Sequence, residues 1–275
     1  MPSASKNRII LDKAIESEEY IPPRQSANTL FRFFGKADRL YDAIKRGALI
    51  PRYYREDIDY LGINCKSIAY PMICFCDINI HRLQEHLDLY GCYGIAFSKA
   101  WGVKHGIQPL QYINPNSILR KDFTSAFNAS ITLQQPEEFN GGFNNTATHF
   151  CANYLLSHMF YMKPLYGTMP RGTETIRKNF TDEREWRYIP DLSKTDLPQA
   201  IPDDYTETYN KFNDSLEDHD CCWLRFEYED VKYIILPEHS DLNNFYKQIN
   251  NISSYNAKRQ LVSKVIIWAD AKEDF

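Results

Sequence analysis

Phe180-Thr-Asp-Glu-Arg-Glu-Trp-Arg-Tyr-Ile-Pro190 is the most informative stretch of this sequence. Two carboxylates, Glu183 and Glu185, stand one residue apart. On a strand, side chains alternate between faces, so both would lie on one side and Arg184 on the other. Arg187 then adds a cation to the glutamate face, and Trp186 points the opposite way, into the protein. Two acids and a guanidinium on one face require a reason, because buried charge is costly unless it is paired. The plainer alternative is an exposed strand edge laced with surface ion pairs, which are worth little.

Working outward, the preceding elements are strongly patterned. Thr29–Phe34 alternates as a strand, with Leu30, Arg32 and Phe34 on one face and Phe31 and Phe33 on the other. Lys36–Arg46 carries Ala37, Leu40, Tyr41 and Ile44 at helical spacing, and Gly47 supplies the stop. Ile68–Ile78 is an almost uncharged β-rich run that ends at Asp77, read as a turn or capping residue. Ile80–Tyr90, with His81 and His86, reads as a helix; Gly91–Ser98 and Pro109–Ile113 read as strands. His149–Phe160 is helical, and Tyr161–Tyr166 is extended. Toward the end come strands at Trp223–Tyr228, Tyr233–Leu236 and Val262–Ala269, with a helix at Asp241–Ile249. Residues 191–219 read as an acidic loop.

This pattern predicts an α+β fold with two parts. Residues 1–28 form an N-terminal extension, a short helix near 9–19 followed by a linker with Pro22-Pro23. Residues 29–275 form one domain, with an insertion at about 120–148. There is no internal repeat.

Composition narrows the function classes. The chain has 275 residues, 43% hydrophobic and 25% charged, as expected of a globular protein. Its net charge of −4 gives no global support for phosphate-driven nucleic-acid binding. The seven cysteines are odd in number, without a C-x-x-C pair, and point to reduced thiols in a cytoplasmic protein. Cys74 and Cys76 would share a strand face, but buried thiols explain them better than a metal pair. No metal site is expected. No signal pattern or membrane-length apolar run appears. Neither a G-x-G-x-x-G fingerprint nor a Walker loop occurs.

The chain resembles the AbiGi family of abortive phage-resistance proteins. The resemblance rests on Gly47–Tyr53 (GALIPRY), Tyr70–Ile78 (YPMICFCDI), Tyr90–Lys99 (YGCYGIAFSK), Tyr112-Ile113 and Phe180–Pro190, and spans roughly residues 29–270. The order of elements also resembles ADP-ribosyltransferases, above all those acting on nucleic acids. That likeness implies a split mixed β-sheet with flanking helices and NAD as co-substrate. It places Arg32 at the position of the NAD-contacting residue of the first strand. Ile44–Leu49 matches the helix end and turn, Phe75-Cys76-Asp77 the middle motif, and Glu183-Arg184-Glu185 the E-x-E form of the catalytic segment. The middle motif lacks the Ser-Thr-Ser of one large class.

Glu185 is accordingly the expected catalytic carboxylate, facing the positive charge that develops on ribose, and Glu183 the group that orients or deprotonates the acceptor. The expected NAD-binding residues are Arg32, Phe34, Arg52, Tyr53, Phe75, Cys76, His86 and Tyr90. Arg32 would grip a pyrophosphate oxygen, and Arg52, with Tyr53 and Tyr54, a second phosphate and a base. His86 reads more simply as a structural histidine, and Trp101, Trp223 and Trp268 as core. The resemblance implies a toxin with a cognate antitoxin, modifying RNA or single-stranded DNA in preference to protein. The alternatives are a non-catalytic antitoxin or regulatory partner, and an NAD glycohydrolase.

Overall fold

The computed structural model describes residues 20–132, 142–171, 174–202 and 209–274. The expected N-terminal helix near 9–19 lies outside them. The first strand begins where the alternation begins: β1 is Thr29–Phe34, followed by α1 (Ala37–Arg46). Helix α1 buries Leu40, Tyr41, Ala43 and Ile44 and ends at Gly47, whose φ of 59° lets its N–H reach back to Ala43 and Ile44. Next come β2 (Ala48–Leu49), β3 (Arg52–Asp57) and β4 (Ser67–Cys76), then a 3-10 turn, α2 (Gln84–Tyr90), β5 (Tyr93–Ser98) and α3 (Lys99–Lys104). Two short strands, β6 (Gln108–Pro109) and β7 (Gln111–Ile113), lead to α4 (Ile118–Thr132) and α5 (Gly142–Met159).

The chain continues through β8 (Met162–Pro164), the hairpin β9 (Tyr166–Arg171) and β10 (Glu174–Asn179), and β11 (Glu185–Tyr188). The last third holds β12 (Ile201–Pro202), α6 (Tyr209–Asp218), β13 (Leu224–Arg225), β14 (Val231–Leu236), α7 (His239–Ile249), α8 (Tyr255–Val262), β15 (Val265–Ile267) and α9 (Trp268–Ala271).

The fold is α+β with a mixed sheet. Its strand order is β15-β14-β5-β1-β4-β11-β6, with β3 and β12 also paired to β4. The β14–β15 pair is parallel and the other pairs of this sheet are antiparallel. One junction is thin. Strand β1 pairs with β5 along its whole length but meets β4 at a single position, Phe31 opposite Cys76.

Packing follows from the alternation of β1 and β5. One face of the sheet buries Leu30, Ile95 and Phe97 against Leu40, Ile44, Trp101, Phe226 and Phe245 from the helical side. Phe97 stacks on Trp101 with centroids 4.2 Å apart. The other face buries Phe31, Phe33 and Ile235 against Leu83, Leu87 and Trp268. A third cluster packs Tyr70, Met72, Phe123, Phe160 and Met162. Burial of each such side chain favours folding by about 1.5–3 kcal/mol.

Several local expectations change. Within the expected insertion at about 120–148, the described residues belong to two packed helices, α4 and α5. The acidic 191–219 region contains helix α6, anchored by buried Asn213 and Leu216. The strand expected at Val262–Ala269 contracts to Val265–Ile267, because α8 and α9 take its ends. Trp223–Tyr228 retains only Leu224–Arg225 as strand. Among the described residues, no helix is long and apolar enough to cross a membrane.

Candidate active site

Glu185 opens β11 and is paired across the sheet with Cys76. The residue before it breaks the strand. Phe180–Glu183 is a 3-10 turn, and Arg184 is left-handed at φ 44°. The expected continuous strand through Glu183 and Glu185 is therefore wrong. The carboxylates still converge, because the turn swings Glu183 inward and a third residue gathers both. Lys163 Nζ lies 2.6 Å from Glu183 Oε2 and 2.7 Å from Glu185 Oε2. Lys163 comes from β8, which pairs in parallel with β7.

These charges are buried in one alternating chain. Arg187 is fully buried; its Nε donates to Glu185 Oε1 at 2.6 Å, and its Nη2 lies 3.2 Å from Glu56 Oε2. Its Nη1 donates to the Phe160 carbonyl at 2.9 Å and to the Tyr70 hydroxyl. Lys178, on the hairpin, lies 3.3 Å from Glu183 Oε1, and the Tyr90 hydroxyl donates to that same oxygen. Three carboxylates thus face three cations, which satisfies the pairing that burial demands. An exposed edge with surface ion pairs is excluded: Glu183 is 2% and Glu185 5% exposed. Burial alone would raise the Glu185 carboxyl, but Arg187 and Lys163 outweigh it and hold the group well below the usual carboxylate range. Glu185 is ionised at neutral pH. The Tyr90 hydroxyl is pushed up by burial and by Glu183, so it stays a proton donor.

The site is braced by main-chain contacts. The Glu185 N–H donates to the Tyr112 hydroxyl at 2.9 Å, and the Asp77 N–H donates to the Arg184 carbonyl at 3.0 Å. Gly91, at φ 124°, places its Cα against the Phe34 carbonyl, where a Cβ would sit 2.3 Å from backbone atoms. That close approach fixes Tyr90 beside the end of β1.

A cleft of about 1540 Å³ joins this network to the thin junction between β1 and β4. Arg32, Phe34, Tyr54, Cys76, Glu183 and Glu185 are among its walls. It exceeds the roughly 300–1,000 Å³ of a typical small-molecule pocket. Arg32 reaches across this junction, with Nη1 3.4 Å from the Cys74 carbonyl and Nη2 3.2 Å from the Tyr54 hydroxyl. Among the described residues it forms no ion pair. Arg52 lines the same cleft and pairs with Glu217 at 3.2 Å.

A family model described as "Putative abortive phage resistance protein AbiGi, antitoxin" matches residues 47–237. The abortive phage resistance protein AbiGi of Lactococcus lactis subsp. cremoris is 33% identical over 256 residues, which cover 83% of this chain and 100% of that protein. The chain belongs to the AbiGi family. No solved structure matches it. The AbiGi-matched segment contains Lys163, Glu183, Glu185 and Arg187, whereas Arg32 precedes it.

The cleft of this AbiGi chain gathers most of the expected residues and excludes three. Arg32, Phe34, Arg52, Cys76, Tyr90, Glu183 and Glu185 line it. Tyr53 does not: it is buried on the opposite side of β3, against Phe212, and its hydroxyl donates to the Pro198 carbonyl. Its neighbour Tyr54 takes the cleft position, as the alternation of β3 requires. Phe75 is fully buried beside Phe97 and Trp101, because β4 sends Cys74 and Cys76 to the cleft and Phe75 the other way. His86 is buried behind Tyr90, against Phe33. Burial, with Lys178 nearby, lowers its pKa, while Glu183 pulls the other way.

Trp186 is half-buried against the first core, as expected, and Trp101 and Trp268 are core; Trp223 is only partly covered. Asp77 makes a buried ion pair with Lys99 at 2.7 Å, more than a turn residue's role. Sequence reasoning missed Lys163 and Lys178. The available signal for Lys163 was a lone charge inside the apolar run FYMKPLY. Among the described residues, no cluster of His, Cys, Asp and Glu is arranged to hold a metal ion.

Proposed function

We propose that this AbiGi protein is an NAD-dependent ADP-ribosyltransferase-like effector of an abortive-infection system. The observation that carries the reading is the shared cleft. Arg32, at the β1–β4 junction, and the ionised Glu185 line one space large enough for a dinucleotide. The mixed sheet, thinly paired between β1 and β4, is compatible with the split sheet that the resemblance to those transferases implies.

The residues fit NAD chemically. Arg32 and Arg52 offer guanidinium groups to a pyrophosphate. Tyr54 and Phe34 offer ring faces to a base. NAD, when bound, supplies a nicotinamide–ribose bond whose cleavage releases ADP-ribose to an acceptor. Glu185 places a fixed negative charge at the cleft floor, where it would favour positive charge on a sugar. Arg187 and Lys163 keep that charge in place and ionised. Glu183, with one oxygen on Tyr90 and the other on Lys163, orients an acceptor hydroxyl or amine. The favoured acceptor class is RNA or single-stranded DNA, and a cognate protein partner would restrain the activity.

A second reading is a non-catalytic antitoxin or regulatory partner. It is favoured by the word antitoxin in the family description and by the cation pairing of all four carboxylate oxygens of Glu183 and Glu185. Labelled NAD, incubated with purified protein and pooled RNA, single-stranded DNA and protein, decides between them. Label transfer that disappears in Glu185→Gln supports the transferase. Free ADP-ribose without transfer indicates a glycohydrolase. A folded, partner-free preparation that neither binds nor consumes NAD overturns the catalytic reading.

A further inference from the structure

A second surface stands out by its charge. From Leu242 to Ala269 the chain contains no Asp or Glu, although the whole sequence holds 36. The same segment carries Lys247, Lys258, Arg259 and Lys264. The net charge of −4 therefore divides into +4 on this segment and −8 on the remainder. Lys264 is committed inward, donating to the Tyr228 carbonyl at 2.6 Å. The other three cations stand on α7 and α8.

Those helices bury Phe245, Ile249 and Leu261 in the first core and leave a groove of about 580 Å³ between their outer faces. Its walls include Tyr246, Lys247, Tyr255, Lys258 and Arg259, and no carboxylate. The two tyrosines are 46% and 71% exposed, so the groove presents aromatic surface to solvent. Arg259 lies 6.0 Å over the Tyr255 ring. Asn250 lies at the groove and holds Lys258 at 3.3 Å.

We infer that the α7–α8 groove is a docking site for single-stranded nucleic acid. Cations spaced along a groove neutralise successive phosphates. Exposed tyrosine faces accept unpaired bases by stacking, which a duplex cannot offer. An acidic protein segment would satisfy the lysines and Arg259 but would leave the two rings without a role. The inference does not depend on chemistry in the cleft.

The test is fluorescence anisotropy of labelled oligo(dT) and oligo(U), about 12 nucleotides long, with the full chain. The expected result is binding that weakens on the order of 20-fold between about 50 and 200 mM salt, as three phosphate contacts predict. Lys247→Glu with Arg259→Glu should weaken binding more than about 10-fold, and Tyr255→Ala by roughly 5- to 150-fold. Both changes are at the surface, so the thermal midpoint serves as the folding control. Binding retained by Glu185→Gln but lost in the charge reversal supports the groove, whether or not the cleft turns over NAD. The inference is overturned if folded wild type shows no binding at about 100 µM, weaker than nonspecific association. It is equally overturned if both variants bind like wild type, or if polyglutamate displaces the oligonucleotide as well as unlabelled oligo(dT) does.

Discussion

Replacing Lys163 by Met should destabilise the protein by about 3 kcal/mol, the lower part of the range for breaking a buried ion pair. Methionine preserves the length and most of the packing of the side chain, so the loss reports charge. The Lys163 side chain is only 13% exposed, and its ammonium lies 2.6 and 2.7 Å from two carboxylates that are themselves buried. The loss stays at the lower end because neither acid is abandoned: Glu185 keeps Arg187, and Glu183 keeps Lys178 and Tyr90. At roughly 2–4 °C per kcal/mol for a domain of this size, the midpoint should fall by about 10 °C. The assay is urea unfolding of wild type, Lys163→Met, Glu183→Gln and the double variant. The double variant should lose less than the sum of the two, because the lysine's removal then leaves one buried negative charge fewer. A loss under about 1 kcal/mol, the value of an exposed pair, or strict additivity, would refute the claim that the three charges act as one unit.

Two further outcomes follow from the same geometry. The depressed Glu185 carboxyl contributes stability that is complete above its unfolded value of about 4.3 and is lost as pH falls toward the folded value; urea midpoints measured between about pH 3 and 6 should therefore fall more steeply in wild type than in Glu185→Gln. Gly91→Ala should cost about 3 kcal/mol or more, or abolish soluble expression, because its Cβ would meet the Phe34 backbone at 2.3 Å; a variant with an unchanged thermal midpoint would show that the β1 end moves freely.

The sequence was most legible where one pattern governed both local shape and packing. The alternation of Thr29–Phe34, the helical spacing of Leu40, Tyr41 and Ile44, and Gly47 at the helix end all reappear in the structure. It misled where a single backbone angle changed the pattern. Alternation through Glu183 and Glu185 assumed continuous strand, and the left-handed Arg184 supplied the convergence in another way. Neighbouring residues were also paired where strand parity permits only one. Tyr53 and Tyr54 cannot both face the cleft, nor can Phe75 and Cys76. The lone charge of Lys163 in FYMKPLY marked it as unusual but not its role, because its partners lie 20 and 22 residues away and no local spacing encodes that contact. Helix α6 hid in acidic sequence, since only Phe212 and Leu216 mark its inner face.

The alternating chain of charges draws on Glu56, Tyr90, Lys163, Lys178, Glu183, Glu185 and Arg187. During synthesis, the members up to Lys178 leave the ribosome before the glutamates that complete them. The nascent chain therefore carries a half-built site until Arg187 emerges, and β14, which flanks the cleft-forming strands through β5, arrives later still. Any fragment ending before Arg187 would lack Glu185 or its guanidinium partner. The charge network is thus completed only once translation has entered the final third of the chain.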